Sequence, residues 1–167
     1  MPRTALIVVV PEAEPLVHEW RLRYDNAELG IPAHVTLIFP FVPADEIGEE
    51  LVDELRELFA VQPAFSFTLA RVARFSDVAW LAPDPSDPFR RLTDLLFSRY
   101  PDCPPYEGIH EEVLPHLTVA MGDAALQDEV EAALTPHLPI GAHAGEVTLL
   151  VEDKSGHWSE SERFPFR

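Results

Sequence analysis

Two five-residue stretches, Ala33-His34-Val35-Thr36-Leu37 and Pro115-His116-Leu117-Thr118-Val119, repeat one pattern 82 positions apart. Each reads histidine, apolar, threonine, apolar. Side chains two apart on a strand point to the same face. Each stretch therefore sends its His and Thr to one face and buries its apolar pair. A chain that carries this twice has to build two similar strands and place them in related surroundings.

The repeat extends beyond the motifs. The same shift lays Phe65 to Leu69 over Val147 to Val151. Upstream, Val10-Pro11 resembles Ala82-Pro83 at a shift of 72, so a length change intervenes. Thr4 to Val10, His34 to Phe39, Phe65 to Leu69, Val78 to Ala82, His116 to Met121, Val147 to Val151 and Trp158 to Phe164 read as strands. Helical spacing runs from Pro15 through Val17, Trp20 and Tyr24, from Ala44 to Phe59, from Asp87 to Tyr100 and onward from Asp123. Lys154-Ser155-Gly156 reads as a hairpin turn. The pattern predicts an α+β fold, a duplicated β-α-β-α-β unit with two mixed or antiparallel sheets, flanked by helices around a central cleft. Residues 1–167 form a single two-lobed domain on this reading, with repeat halves near 1–75 and 76–167.

Charge narrows the partners. Twelve Lys and Arg face 29 Asp and Glu, a formal net charge of −17. Proteins that track long nucleic acids do so with basic surface. The balance therefore points away from DNA and long RNA and leaves room for a small anion held by aimed donors. The apolar runs are strand-length, too short to span a bilayer. The start reads as a strand rather than a signal peptide, and the single Cys103 can form no internal disulfide, so a cytoplasmic monomer is expected.

A twofold relation between the halves would bring His34 and His116 to one cleft. Imidazole titrates near neutrality, so one ring can accept a proton while the other donates one. Thr36 and Thr118 can donate hydrogen bonds to non-bridging phosphate oxygens. The scheme calls for no metal and no cofactor.

The paired motifs resemble the signature of the two-histidine phosphoesterase superfamily, in its 2′-5′ RNA ligase-like branch. The resemblance covers nearly the whole chain. It implies a bilobal fold and a metal-independent enzyme acting on 2′,3′-cyclic phosphates or 2′-5′ phosphodiester links. It also implies that His34 and His116 are catalytic and that Thr36 and Thr118 hold phosphate. Many RNA-processing relatives carry an arginine just after the motif, where this chain has Ile38 and Met121. A small nucleotide or cyclic phosphate is then the expected substrate, rather than a long RNA. Two rival readings use the same residues: reversible 2′-5′ RNA ligation, and binding of a phosphorylated ligand without turnover.

Phe41, Tyr106 and Trp158 are candidate pocket walls, since aromatic rings stack bases. Trp80 reads as core. Arg71 and Arg74 read as salt links to the acidic surface. His18 and His137 fall on helices or helix ends, and His143 and His157 flank the last strands. His110, Glu111, Glu112 and His116 match no zinc spacing. Cys103 lacks a flanking base, so it is no nucleophile on this reading.

Overall fold

Alternation in the sequence becomes two four-stranded sheets, antiparallel at every pairing. The computed structural model describes residues 2–104 and 114–167. In chain order the elements are β1 (Thr4–Val9), α1 (Glu14–Tyr24), β2 (His34–Ile38), α2 (Glu49–Ala60), β3 (Phe65–Arg74) and β4 (Val78–Asp84). They continue with α3 (Asp87–Arg99), β5 (Leu117–Met121), α4 (Ala124–Leu134), β6 (Ile140–Ala144), β7 (Glu146–Glu152) and β8 (Trp158–Pro165).

The first sheet runs β2-β1-β7-β8 and the second β5-β4-β3-β6. The third strand of each repeat therefore crosses over. β3 pairs with β4, and β7 pairs with β1. The helices cross too: α1 packs on β5, and α3 packs on β2. One such contact is polar, with the Thr93 hydroxyl donating to the Leu37 carbonyl at 2.7 Å. Neither sheet belongs to one half of the sequence, and this exchange joins the lobes through a shared core. Leu6, Val8, Val35, Leu37, Leu81, Leu117 and Val119 are all within 1% of full burial in that core. Each such side chain contributes about 1.5–3 kcal/mol relative to exposure.

Several local expectations shift. α2 starts at Glu49 rather than Ala44, because Ile47 and Gly48 are extended after a short 3₁₀ turn at Ala44–Glu46. Asp87 is the first helical residue of α3 rather than its cap. The expected cap at Asp123 forms, its carboxylate accepting from the Leu126 N–H at 3.0 Å. β6 was not visible in the sequence. Ile140-Gly141-Ala142-His143-Ala144 is rich in small residues and lacks β-branched content beyond Ile140. β3 runs on to Arg74, so Arg71 and Arg74 lie within a strand. Arg74 reaches Asp128 at 2.7 Å and Glu131 at 3.5 Å, the acidic-surface link expected of it.

Candidate active site

β2 and β5 end their sheets and meet at the seam between them. Their alternation is as the motifs require. His34, Thr36, His116 and Thr118 are partly exposed, while Val35, Leu37, Leu117 and Val119 are buried. The two histidines are held identically. His34 Nδ1 lies 2.7 Å from the Pro32 carbonyl oxygen, and His116 Nδ1 lies 2.7 Å from that of Leu114. A carbonyl only accepts, so each Nδ1 donates. In a neutral ring this leaves the lone pair on Nε2, and both rings carry the same tautomer.

The approach to His34 is tied at several points. Arg21 is 1% exposed. Its guanidinium donates to Asp25 at 3.1 Å, the Ile31 carbonyl at 2.9 Å and Asn26 Oδ1 at 2.7 Å. Glu14 accepts from the Ala33 N–H at 2.6 Å. Gly30, at φ +91°, lets this loop press against the β7–β8 hairpin. A Cβ there would sit 2.4 Å from the Trp158 carbonyl oxygen. Gly30→Ala is expected to cost about 1–3 kcal/mol, because positive φ and the backbone clash act together. Thermal unfolding checks this, and an unchanged midpoint would refute it.

Burial holds the His34 pKa down at about 4, against its hydrogen bond to Pro32, and the charges of Arg21 and His116 lower it further. The last cause bears on geometry: the two imidazoles lie close enough for charge on one to be felt by the other. At neutral pH the His34 ring is uncharged and able to accept a proton.

A cavity of about 290 Å³ opens beside His34 and Thr36. Ala5, Ile7 and Leu150 are among its apolar lining residues, with Phe39, Trp158, Arg3 and Asn26 also in its wall. Phe39 and Trp158 meet edge to face at 5.9 Å. The Arg3 guanidinium lies 5.3 Å from the Phe39 ring centre and 5.8 Å from that of Trp158. Glu152 receives it at 3.1 and 2.8 Å. A wider groove of about 850 Å³ at the start of α2 is walled by Glu46, Glu49, Glu50, Asp53, Glu54 and Glu57. So many carboxylates repel a phosphate.

The profile of the 2′-5′ RNA ligase superfamily matches residues 9–156. The chain belongs to that superfamily. Relatives agree along its length. The "Putative phosphoesterase" proteins of Geobacillus kaustophilus and Bacillus pumilus are each 26% identical to it. The matches cover 95% of this chain, and 93% and 94% of theirs. Escherichia coli LigT, solved with 3′-AMP, shares the fold at a TM-score of 0.65, with 20% identity and 99% of each chain covered. A Thermus thermophilus protein superposes at 0.67, with 17% identity over 99% of this chain and 98% of that one. The chain thus shares its family with proteins named as phosphoesterases and its fold with LigT.

Within this superfamily member the other candidates sort unevenly. Trp158 does line the cavity. Phe41 does not: it is 5% exposed in the main core, edge to face with Tyr100 at 5.2 Å. The wall position falls to Phe39, two residues earlier on the same exit from β2, where the chain leaves the strand and turns Phe41 inward. Tyr106 and the grouping of His110, Glu111 and Glu112 lie outside the described residues. Among the described residues no cluster of three His, Cys, Asp or Glu is placed to hold a metal. No helix among them is long and apolar enough to cross a membrane. Trp80 is buried as expected, but on the motif face, its ring 5.7 Å from that of His116. His18 pairs with Glu14 at 3.4 Å, and His143 Nδ1 lies 3.2 Å from the Ser66 hydroxyl. Burial, then the charges of Asp102 and Glu46, push the Cys103 thiol up, which suits its reading as no nucleophile. Ile38 is buried in the core, and Met121 is half exposed. Neither gives the site a cation, whereas Arg3, which no motif marks, lines the cavity.

Proposed function

We propose that this protein is a metal-independent phosphodiesterase acting on 2′,3′-cyclic phosphates or 2′-5′ phosphodiester links of small nucleotide-like substrates. The carrying observation is the matched pair of Nδ1–H···O=C anchors, which turn two like tautomers to one seam. His34 and His116 are the catalytic pair, and Thr36 and Thr118 hold the non-bridging oxygens. In cleavage of a 2′-5′ link, neutral His34 takes the proton of the vicinal 3′-hydroxyl as O3′ attacks phosphorus. His116 gives a proton to the departing 5′-oxygen. The product is a 2′,3′-cyclic phosphate and a free 5′-alcohol. Opening that ring reverses the roles: His116 takes a proton from water, and His34 returns one to the leaving ribose oxygen. Every proton has a residue, so no step needs a metal. The small nucleotides found with E. coli LigT, 3′-AMP, ATP and NADP+, support a substrate of that size.

The test is a panel of 2′-5′ dinucleotides and 2′,3′-cyclic nucleotides, assayed from about pH 3.5 to about 9 with and without chelator. Turnover should survive chelation. With the 2′-5′ dinucleotides, for which His34 is the base, the acid limb of kcat/KM should bend near pH 4, where His34 in the free protein gains its proton. Stability follows the same sign. The unfolded ring binds a proton near its ordinary 6.5 and the folded ring only near 4. Its contribution is therefore complete above pH 6.5 and is lost as pH falls to about 4. Loss of activity on chelation, or inertness across the panel, would end the proposal.

A further inference from the structure

The twofold relation lets the sheets be compared position by position. Ile7 lies opposite Thr36 on β1, and Trp80 lies opposite Thr118 on β4. A register shift falls just before each, between Leu6 and Ile7 and between Ala79 and Trp80. The neighbouring strands continue the match. Leu150 on β7 stands opposite Ala5, two residues before Ile7. The Phe75 N–H donates to the carbonyl of Val78, two residues before Trp80, at 2.9 Å. Ile7 and Leu150 of the first sheet thus correspond to Trp80 and Phe75 of the second.

The chemistry at these positions is opposite. Ile7 and Leu150 form an aliphatic floor beneath the cavity beside His34. Trp80 and Phe75 are a stacked pair with centroids 4.8 Å apart and planes 28° apart. Both meet the His116 ring edge-on, at 5.7 and 5.2 Å. Two large flat rings stand where the first sheet has branched aliphatics.

We propose that this broken symmetry fixes substrate direction: one nucleobase-sized ring enters the cavity beside His34, while beside His116 the Trp80–Phe75 stack takes up the positions of the cavity's aliphatic lining. The inference rests on the phosphodiesterase reading and adds to it a seat and a polarity. At about 290 Å³ the cavity is at the lower end for small-ligand sites, enough for a single ring system and its sugar edge. Apolar floor and aromatic walls suit a flat ring. Asn26 supplies a polar readout. Arg21 donates to its Oδ1, which leaves the amide NH₂ as the donor edge for a ring nitrogen or carbonyl. With the ring there, the sugar oxygens face His34, and the other substituent on phosphorus faces His116. O3′ then loses its proton to His34 as the O3′–P bond forms, and O5′ leaves with the proton of His116 as P–O5′ breaks.

The experiment compares binding of a 3′-ribonucleoside monophosphate with binding of inorganic phosphate, by calorimetry and by NMR shifts of the indole N–H groups. The nucleotide should bind at least about tenfold tighter than phosphate, the worth of one well-seated ring. Its shifts should centre on Trp158. Leu150→Phe, which pushes a ring into the cavity, should erase the nucleotide's advantage and leave phosphate binding within about twofold. Asn26→Ala, a milder change at the rim, should reduce the advantage without touching phosphate. The paired change Trp80→Ile with Phe75→Leu should open a second seat, reducing the Trp158 indole shift and adding nucleotide-induced shifts of the His116 imidazole resonances. Phosphate binding and cyclic-phosphate turnover with no advantage for the nucleotide would overturn the seat while leaving the phosphodiesterase reading standing. Shifts centred on Trp80 in the wild type, or an advantage that survives both Leu150→Phe and Asn26→Ala, would also overturn it. Absence of both phosphate binding and turnover would sink the two together.

Discussion

Replacing His34 or His116 with alanine is expected to lower kcat for phosphodiester cleavage by about 10²–10⁴-fold while the protein stays folded. The expectation follows from where each ring is anchored. A bond from Nδ1 to a nearby backbone carbonyl orients each imidazole, and both rings sit at a partly exposed seam rather than in the core. His116 also packs on Phe75 and Trp80, so its loss loosens that stack. For this reason His116→Gln belongs beside the alanine variant. Glutamine keeps bulk at the site but cannot shuttle a proton near neutrality. The double variant should be little worse than the poorer single one, because the two groups act in the same transition state. Rates under saturating substrate, read beside circular dichroism, decide the matter. Folded single variants with near-normal kcat on every substrate that the wild type cleaves would remove the histidines from the chemistry.

Much of this architecture was legible because strands carry a period of two. The motif faces and most strands follow from alternation, but the shift of 82 that laid Phe65 to Leu69 over Val147 to Val151 does not hold, since Leu150 corresponds to Phe75, a shift of 75. The failures share a cause. The first strands of the two halves match at a shift of 73, Ile7 to Trp80, as their register shifts show. The sequence likeness of Val10-Pro11 to Ala82-Pro83 suggested 72. One residue of slip reverses every face on a strand. Trp80 is buried, as its place in Val78-Ala79-Trp80-Leu81 suggested, but the shorter shift lays it over Val8 and hides that it lies on the motif face. In its true place it stands beneath His116. Phe41 failed in a related way, since the chain leaving β2 offers two phenylalanines and only the first turns to the cavity. Arg21 and Asn26 carried no signal at all. Their value lies in a loop whose shape emerges only when α1, the start of β2 and the β7–β8 hairpin are assembled around it.

That loop supplies the second large effect. Arg21→Met should destabilise the protein by about 3–5 kcal/mol, the usual outcome when one member of a buried charged pair is removed. The Arg21 and Asp25 side chains are 1% and 5% exposed. Burial already pushes the Asp25 carboxyl up, and the guanidinium of Arg21 is what opposes that push. Without it the carboxylate, the Ile31 carbonyl and the Asn26 amide oxygen lose their shared donor together. The sign at His34 is also fixed. The Arg21 charge helps hold that ring neutral, so its removal should move the acid limb of kcat/KM upward from about pH 4. A role confined to packing would lower the unfolding midpoint and leave the limb in place. Urea unfolding and the pH profile of the surviving folded fraction separate these outcomes. Adding Asp25→Leu to Arg21→Met should return part of the lost stability, because the stranded carboxylate goes with its partner. The limb should stay displaced in the double variant, since the charge missing near His34 is that of residue 21 and not of residue 25.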